Sequence, residues 1–121
     1  MTDIGWQLED ALGKLAAQGS SQQIAAYFER EDIVGYRLTV SRCPVANYLR
    51  QTLGDVQDDL KVFPRTNIVN EACGEAHLRG RQGGVTVSTS AYLPQEVAKF
   101  ALEFDRGMYS TLVIQAIEAD E

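Results

Sequence analysis

The sequence predicts an α+β fold: a single compact domain in which about four to five helices pack on a small, mainly antiparallel sheet. Segments near both ends repeat apolar residues at i, i+3, i+4 and i+7, which is the spacing of an amphipathic helix. In the middle of the chain, apolar and polar residues alternate in short segments bounded by glycine, as in half-buried strands. The 121 residues contain no repeat or linker, so we expect one domain over residues 1–121.

Two helices are predicted in the first 31 residues. The first runs from about Gly5 to Gln18, and Gly19 ends it. Ser20 and Gln23, three residues apart, form a capping-box pattern that begins a second helix reaching about Glu31.

A strand and a third helix are predicted next. Tyr36, Leu38 and Val40 alternate with polar residues, which is the period-two pattern of a half-buried strand. Pro44 suits the first turn of a helix because that turn does not use the missing N–H, and this helix is expected to end at Gly54.

The β signals of the central region lie between residues 60 and 89, and the hairpin pattern over 76–89 is the clearest of them. Residues 60–63 and 67–70 have an extended pattern on either side of Pro64, which favours an edge strand or a break over a central strand. Residues 76–79 and 85–89 flank the glycine-rich stretch 80–84 and therefore predict a β-hairpin with a longer loop.

The last part of the chain is predicted to be helical. Pro94 begins a helix that Gly107 ends. A final short helix is expected after Ser110, although Val113 and Ile114 suit a strand as well, and the acidic tail 118–121 is expected to fray.

The aromatic residues of the predicted helices recur at core-facing positions, which indicates packing rather than a platform for stacking nucleic-acid bases. The side chains expected in the core are Trp6, Tyr27, Phe28, Tyr48, Phe100 and Phe104.

The formal net charge is −6, with the acidic residues concentrated in residues 1–32 and 91–121 and a slight basic excess in residues 33–90. Nucleic-acid binding depends on lysine and arginine displacing counterions from phosphates. We therefore expect no direct nucleic-acid binding.

The N-terminus has neither a basic segment nor the apolar run of an export signal, and no 18 consecutive residues are apolar. The chain is therefore expected to be cytoplasmic, without membrane contact. In a reducing cytosol, Cys43 and Cys73 are expected to remain thiols.

A metal site would have to combine Cys43, Cys73 and His77 with a carboxylate such as Glu75. Structural zinc sites usually come as two close ligand pairs, so buried thiols are the favoured interpretation and no metal is expected. The acidic pair 58–59 lacks the spacing of a calcium-binding loop and indicates a solvated turn.

Catalytic and cofactor signatures are missing from the sequence. Cys73 or a serine within 88–90 would need His77 as its base, but no Gly-x-Ser-x-Gly elbow surrounds these serines. The stretch 80–84 lacks the Gly-Lys-Ser/Thr ending of a phosphate-binding loop. We therefore expect no catalytic residue and no cofactor.

Arg79, Arg81 and Gly83 are the candidate partner-binding residues, because the predicted hairpin tip would present two arginines to an acidic partner. Arg37 and Arg42 are candidates to lie nearby.

Two motifs carry a resemblance. Residues 43–49 read Cys-Pro-Val-Ala-Asn-Tyr-Leu, and residues 93–100 read Leu-Pro-Gln-Glu-Val-Ala-Lys-Phe, followed by Phe-Asp-Arg-Gly-Met-Tyr at 104–109. Over residues 20–113 the chain resembles a group of small proteins from actinobacteria and their phages. The resemblance implies a shared fold and an actinobacterial or phage setting, but no activity; the group tends to have a proline where this chain has residues 110–112.

The sequence thus favours a small, non-enzymatic protein-binding module. One alternative is an acidic regulator whose acidic ends occupy the basic nucleic-acid-binding surface of a host protein. A third hypothesis is an enzyme of unrecognised type. The identity of the partner and the oligomeric state stay open.

Overall fold

The computed structural model describes residues 4–54 and 57–114. Within these ranges, four α-helices pack on a three-stranded antiparallel sheet, which confirms the predicted single α+β domain. The helices are α1 (Ile4–Ala16), α2 (Ser21–Arg30), α3 (Pro44–Leu53) and α4 (Gln95–Asp105). The strands are β1 (Gln57–Thr66), β2 (Ala72–Gln82) and β3 (Val85–Tyr92), and a 3₁₀ helix covers Ser110–Leu112.

The helices begin where the sequence signals predict. Ser20 caps α2 by accepting from the Gln23 N–H, and the Gln23 side chain accepts from the Ser20 N–H in return, so the capping box is confirmed. Cys43 caps α3 in the same manner, since its Sγ accepts from the Ala46 N–H, and Pro44 occupies the first turn.

The sheet has the order β1-β2-β3, so β2 is central and Pro64 lies on an edge strand. That is the edge-strand position that the sequence favoured for this proline. The β2–β3 connection is a turn of only two residues, Gly83 and Gly84, both with positive φ, as a tight hairpin between right-twisted strands requires.

One face of the sheet, here called the inner face, is covered by the helices. Beneath the helices its aliphatic side chains are almost fully buried and alternate along the strands with exposed ones, whereas Val85 at the turn end of this face is 63% exposed. The hydrophobic core lies on this side of the sheet. The inner-face residues that belong to the core are Leu60, Val62, Ala76, Leu78 and Ala91.

An aromatic cluster links the helices. The Phe28 ring meets Phe100 edge to face at a centroid distance of 5.2 Å, and Phe100 stacks on Tyr109 at the same distance. Tyr48 is also buried, and its hydroxyl donates to the Ala11 carbonyl at 2.8 Å.

Of the six aromatics predicted in the core, Phe28, Tyr48, Phe100 and Phe104 are buried and Tyr27 packs partly buried against them. The prediction for Trp6 is wrong. Its side chain is 57% exposed because the buried stripe of α1 runs through Ile4, Leu8 and Leu12.

The predicted strand over residues 36–41 is also wrong. Leu38 has φ +57, its N–H donates to Asp105 Oδ1 at 2.9 Å, and its side chain is 80% exposed. Arg37 Nε donates to the Phe104 carbonyl at 2.7 Å. These contacts with the end of α4 hold the segment as a loop, and tertiary interactions thereby override the alternating pattern.

Three boundaries differ from the predictions. Residues 67–70 form a turn between β1 and β2 rather than a strand, with the Asn67 side chain accepting from two backbone N–H groups. The hairpin loop expected over 80–84 is shorter because residues 80–82 pair with β3. The final helix expected after Ser110 is only the 3₁₀ helix Ser110–Leu112, and Val113 then bridges Gly35. The predicted frayed tail lies outside the described residues.

None of the helices in the described ranges combines the length and the apolar character needed to cross a membrane.

Candidate protein-binding surface

The sheet face opposite the helices, here called the outer face, is the candidate site. The register of the three strands brings its side chains together in rows, and β2 supplies the central row. The described outer-face residues are Asp59, Lys61, Phe63 and Arg65 on β1, Cys73, Glu75, His77, Arg79 and Arg81 on β2, and Thr86, Ser88, Ser90 and Tyr92 on β3.

Glu75 is the centre of a polar cluster on this face. One of its carboxylate oxygens accepts from Arg65 Nη2 at 3.1 Å, and the other lies 3.2 Å from His77 Nε2. The hydrogen bonds from His77 and Arg65 lower the pKa of the Glu75 carboxyl, because they favour its charged form. The cluster therefore holds the Glu75 carboxylate, the Arg65 guanidinium and the His77 imidazole in fixed relative positions.

Two aromatic side chains border this cluster. The Phe63 ring meets the His77 ring edge to face at a centroid distance of 5.2 Å, and 37% of the Phe63 side chain is exposed. Tyr92, opposite Glu75 in the register, is 81% exposed. Large aromatic surfaces on an uncovered sheet are the groups that protein interfaces bury.

A surface groove of about 510 Å³ runs along this face, between β1 and β3 and over β2. Phe63 and His77 line it, and Arg79 and Ser88 border it further towards the hairpin turn. The described outer face carries four basic side chains and two acidic ones, so it is locally positive on a chain of net charge −6.

The candidate residues Arg79, Arg81 and Gly83 lie at the turn end of this face. Both arginines are exposed and lie in the paired part of β2, opposite Ser88 and Thr86, rather than at the predicted hairpin tip. Only Gly83 belongs to the two-residue turn.

Arg37 and Arg42 do not join this group. The Arg37 guanidinium donates to two carbonyls at the end of α4, those of Phe104 and Met108. Arg42 lies in the loop before α3, where its backbone carbonyl accepts from the Tyr36 N–H.

The sulfur and imidazole groups considered as metal ligands are apart. Cys43 is buried at the start of α3, where burial raises the pKa of its thiol. Cys73 and His77 are four residues apart on a strand rather than on a helix, which separates them by about 13 Å. Within residues 4–54 and 57–114, no three His, Cys, Asp or Glu side chains come together as a metal site would require.

His77 lies opposite Ser90, but within the described ranges the imidazole ring bonds to Glu75 and no serine hydroxyl bonds to it. The nucleophile and base considered from the sequence are therefore neighbours in register without the hydrogen bond that would activate a serine.

A second polar cluster joins α2 to α4. Glu96 Oε1 accepts from the Ser21 N–H at 3.0 Å, and the Tyr109 hydroxyl donates to Glu103 Oε1 at 2.7 Å. Burial raises the pKa of Tyr109, and its hydroxyl also contacts the buried Ser21 side chain. These carboxylates are occupied in holding two helices together.

Sequence reasoning missed Phe63, Lys61 and Tyr92 as site residues. The sequence signal that could have indicated them is the alternation at positions 73, 75, 77, 79 and 81. This alternation extends β2 to Ala72, four residues before the predicted start at Ala76. The longer strand pairs Glu75 with Phe63 on β1 and with Tyr92 on β3, which puts both aromatic residues on the same face as the arginines.

Comparisons with protein-family models, curated proteins and solved structures found no match to the chain.

Proposed function

We propose that this chain is a cytosolic, non-enzymatic protein-binding domain whose outer face binds an acidic segment of a partner protein. The observation that carries the proposal is the exposed outer face of an otherwise helix-covered sheet, on which Phe63 lies between Lys61 and Arg65 and Tyr92 is exposed in the same row.

The aromatic residues would supply most of the binding energy. Phe63 and Tyr92 expose apolar surface on a hydrogen-bonded sheet. Burying them against a partner therefore immobilises few rotatable bonds and costs little conformational entropy. Aromatic residues and arginine dominate the energetics of protein interfaces for this reason.

The basic residues define the charge of the partner. Lys61 Nζ lies 3.7 Å from Asp59 Oδ2, and Arg65 Nη2 lies 3.1 Å from Glu75 Oε2. Both of these cations therefore have acidic neighbours on the same face. Arg79 makes no ion pair or hydrogen bond with another side chain in the described ranges, and it borders the groove. A guanidinium in this position favours a carboxylate as its ligand.

Affinity capture from a cell lysate tests the proposal. The intact chain is expected to retain a protein that the double variant Arg79→Glu with Arg81→Glu no longer retains, because the reversed charges repel an acidic segment. The matched control is Lys14→Glu with Lys99→Glu, which changes the net charge equally but on α1 and α4, outside the outer face. This control is expected to retain the protein.

Three results would contradict the proposal: capture of nothing by the intact chain, equal loss in both variants, or loss of the bound material after nuclease treatment. Equal loss would indicate general charge attraction. Nuclease sensitivity would indicate that the basic excess of the outer face serves nucleic acid.

A further inference from the structure

The two edges of the sheet differ in how their outward-pointing backbone groups are satisfied. On β1, the Val62 N–H points away from β2 and donates to the Val40 carbonyl at 2.7 Å. The next outward position is Pro64, which has no N–H to leave unpaired. This edge is thus protected by a loop and by a proline.

The edge at β3 is arranged differently. The Leu93 N–H donates to the Gly74 carbonyl at 2.9 Å, and in an antiparallel pair such bonded positions alternate with unbonded ones. The backbone groups of Thr86, Ser88 and Ser90 therefore point away from β2. Within the described ranges, no other residue bonds to them.

The β3 side chains do nothing to block this edge. The strand reads Val-Thr-Val-Ser-Thr-Ser-Ala-Tyr over eight residues, without a charge, a proline or a glycine. Edge strands of monomeric proteins usually carry charged residues or proline, because an open, uncharged edge is a template for another strand.

We propose that two copies of this chain pair through their β3 strands to form a continuous six-stranded antiparallel sheet. Ser88 lies on the two-fold axis, opposite Ser88 of the second copy, and Thr86 lies opposite Ser90. The interface is isologous, so each backbone bond occurs twice. The inference depends on the β3 edge alone and is independent of the proposed function.

Charge favours a second copy as the occupant. Because β3 has no charged residue, antiparallel self-pairing places no like charges opposite each other. Glu9 lies beside the Ser90–Tyr92 end of β3, whereas Arg81 lies beside the other end. The two-fold register brings these unlike ends together.

Sedimentation of the intact chain over a range of concentrations tests this pairing. A dimer is expected, and Ser88→Lys is expected to raise its dissociation constant at least about tenfold, because two lysines then face each other across the axis. The matched control Thr66→Lys adds the same charge to the protected edge strand β1 and is expected to leave the dimer unchanged.

A second variant removes the backbone donor directly. Ser88→Pro deletes an N–H that points away from β2, so the hairpin ladder is retained while the dimer is lost. Thermal unfolding of each variant checks that it folds. A monomer at every concentration up to about 1 mM would overturn the proposal. A dimer that Ser88→Lys and a folded Ser88→Pro both leave intact would overturn it equally.

Discussion

The two faces of the same sheet have opposite chemistry, and β2 shows the contrast residue by residue. Ala76 and Leu78 point into the core and are buried, whereas His77 and Arg79 point to solvent and are exposed. A one-residue slip in register would exchange these sets, so the buried face fixes the register and thereby positions the outer face. The face that stabilises the fold also aligns the residues proposed to bind.

The largest expected effect is on the buried side. Phe100 is 0% exposed and contacts the rings of Phe28, Phe104 and Tyr109. Phe100→Ala is expected to lower the free energy of unfolding by about 3–5 kcal/mol, because it leaves a cavity between α2, α4 and the segment that follows α4. Urea titration measures this change, and a loss below about 1 kcal/mol would contradict the packing described for α4.

Neighbouring residues on β2 compare the two faces directly. Leu78→Ala is expected to lower the free energy of unfolding by about 2–5 kcal/mol, since the side chain is buried against the helices. Arg79→Ala, one residue along the same strand, is expected to change it by less than about 0.5 kcal/mol. Similar losses in the two variants would mean that the outer face is not solvent-exposed as described.

A smaller effect is expected from the Glu75 cluster. The pKa of the folded carboxyl is lowered from its ordinary value of 4.5, so the stabilisation from ionised Glu75 is present above that value. It is lost as the pH falls through the lower folded pKa. Glu75→Gln removes the titrating group, so the stability advantage of the intact chain at about pH 6 is expected to shrink at about pH 3. A difference that grows on acidification would show that the sign is wrong.

The smallest effect is expected at Trp6, which is large and aromatic but exposed on α1. Trp6→Ala is expected to change the free energy of unfolding by less than about 0.5 kcal/mol, because few core contacts are removed. Chemical denaturation followed by circular dichroism measures it, with Phe100→Ala as the reference for a buried aromatic. A loss near that of Phe100→Ala would place Trp6 in the core, as the sequence predicted.

The sequence predicted the parts of the fold that local chemistry determines. The capping box at Ser20, the proline start of α3 and the apolar stripe of α4 are each visible within a few residues, and all are confirmed. The failures involve distant contacts. Leu38 takes a left-handed conformation because Asp105 binds its N–H from 67 residues away, which no local pattern indicates.

The sequence predicts the candidate site only at the end of the outer face nearest the hairpin turn. The sequence indicates Arg79 and Arg81 by their charge beside a glycine-rich turn, and both lie on the outer face. Phe63 and Tyr92 are not indicated by the sequence, because their place on the same face as the arginines, in the row of Glu75, depends on the pairing of β1 with β2 and of β2 with β3. Strand register connects residues far apart in sequence, and alternation alone does not specify it.

Hydroxyl-radical footprinting of the captured complex tests the central claim most directly. Phe63 and Tyr92 are exposed on the outer face, whereas Trp6 on α1 and Met108 after α4 are exposed elsewhere. Binding through the outer face predicts that oxidation of Phe63 and Tyr92 falls in the complex while oxidation of Trp6 and Met108 is unchanged. Protection of Trp6 or Met108, with Phe63 and Tyr92 still oxidised as in the free chain, would contradict the assignment of the outer face as the binding surface.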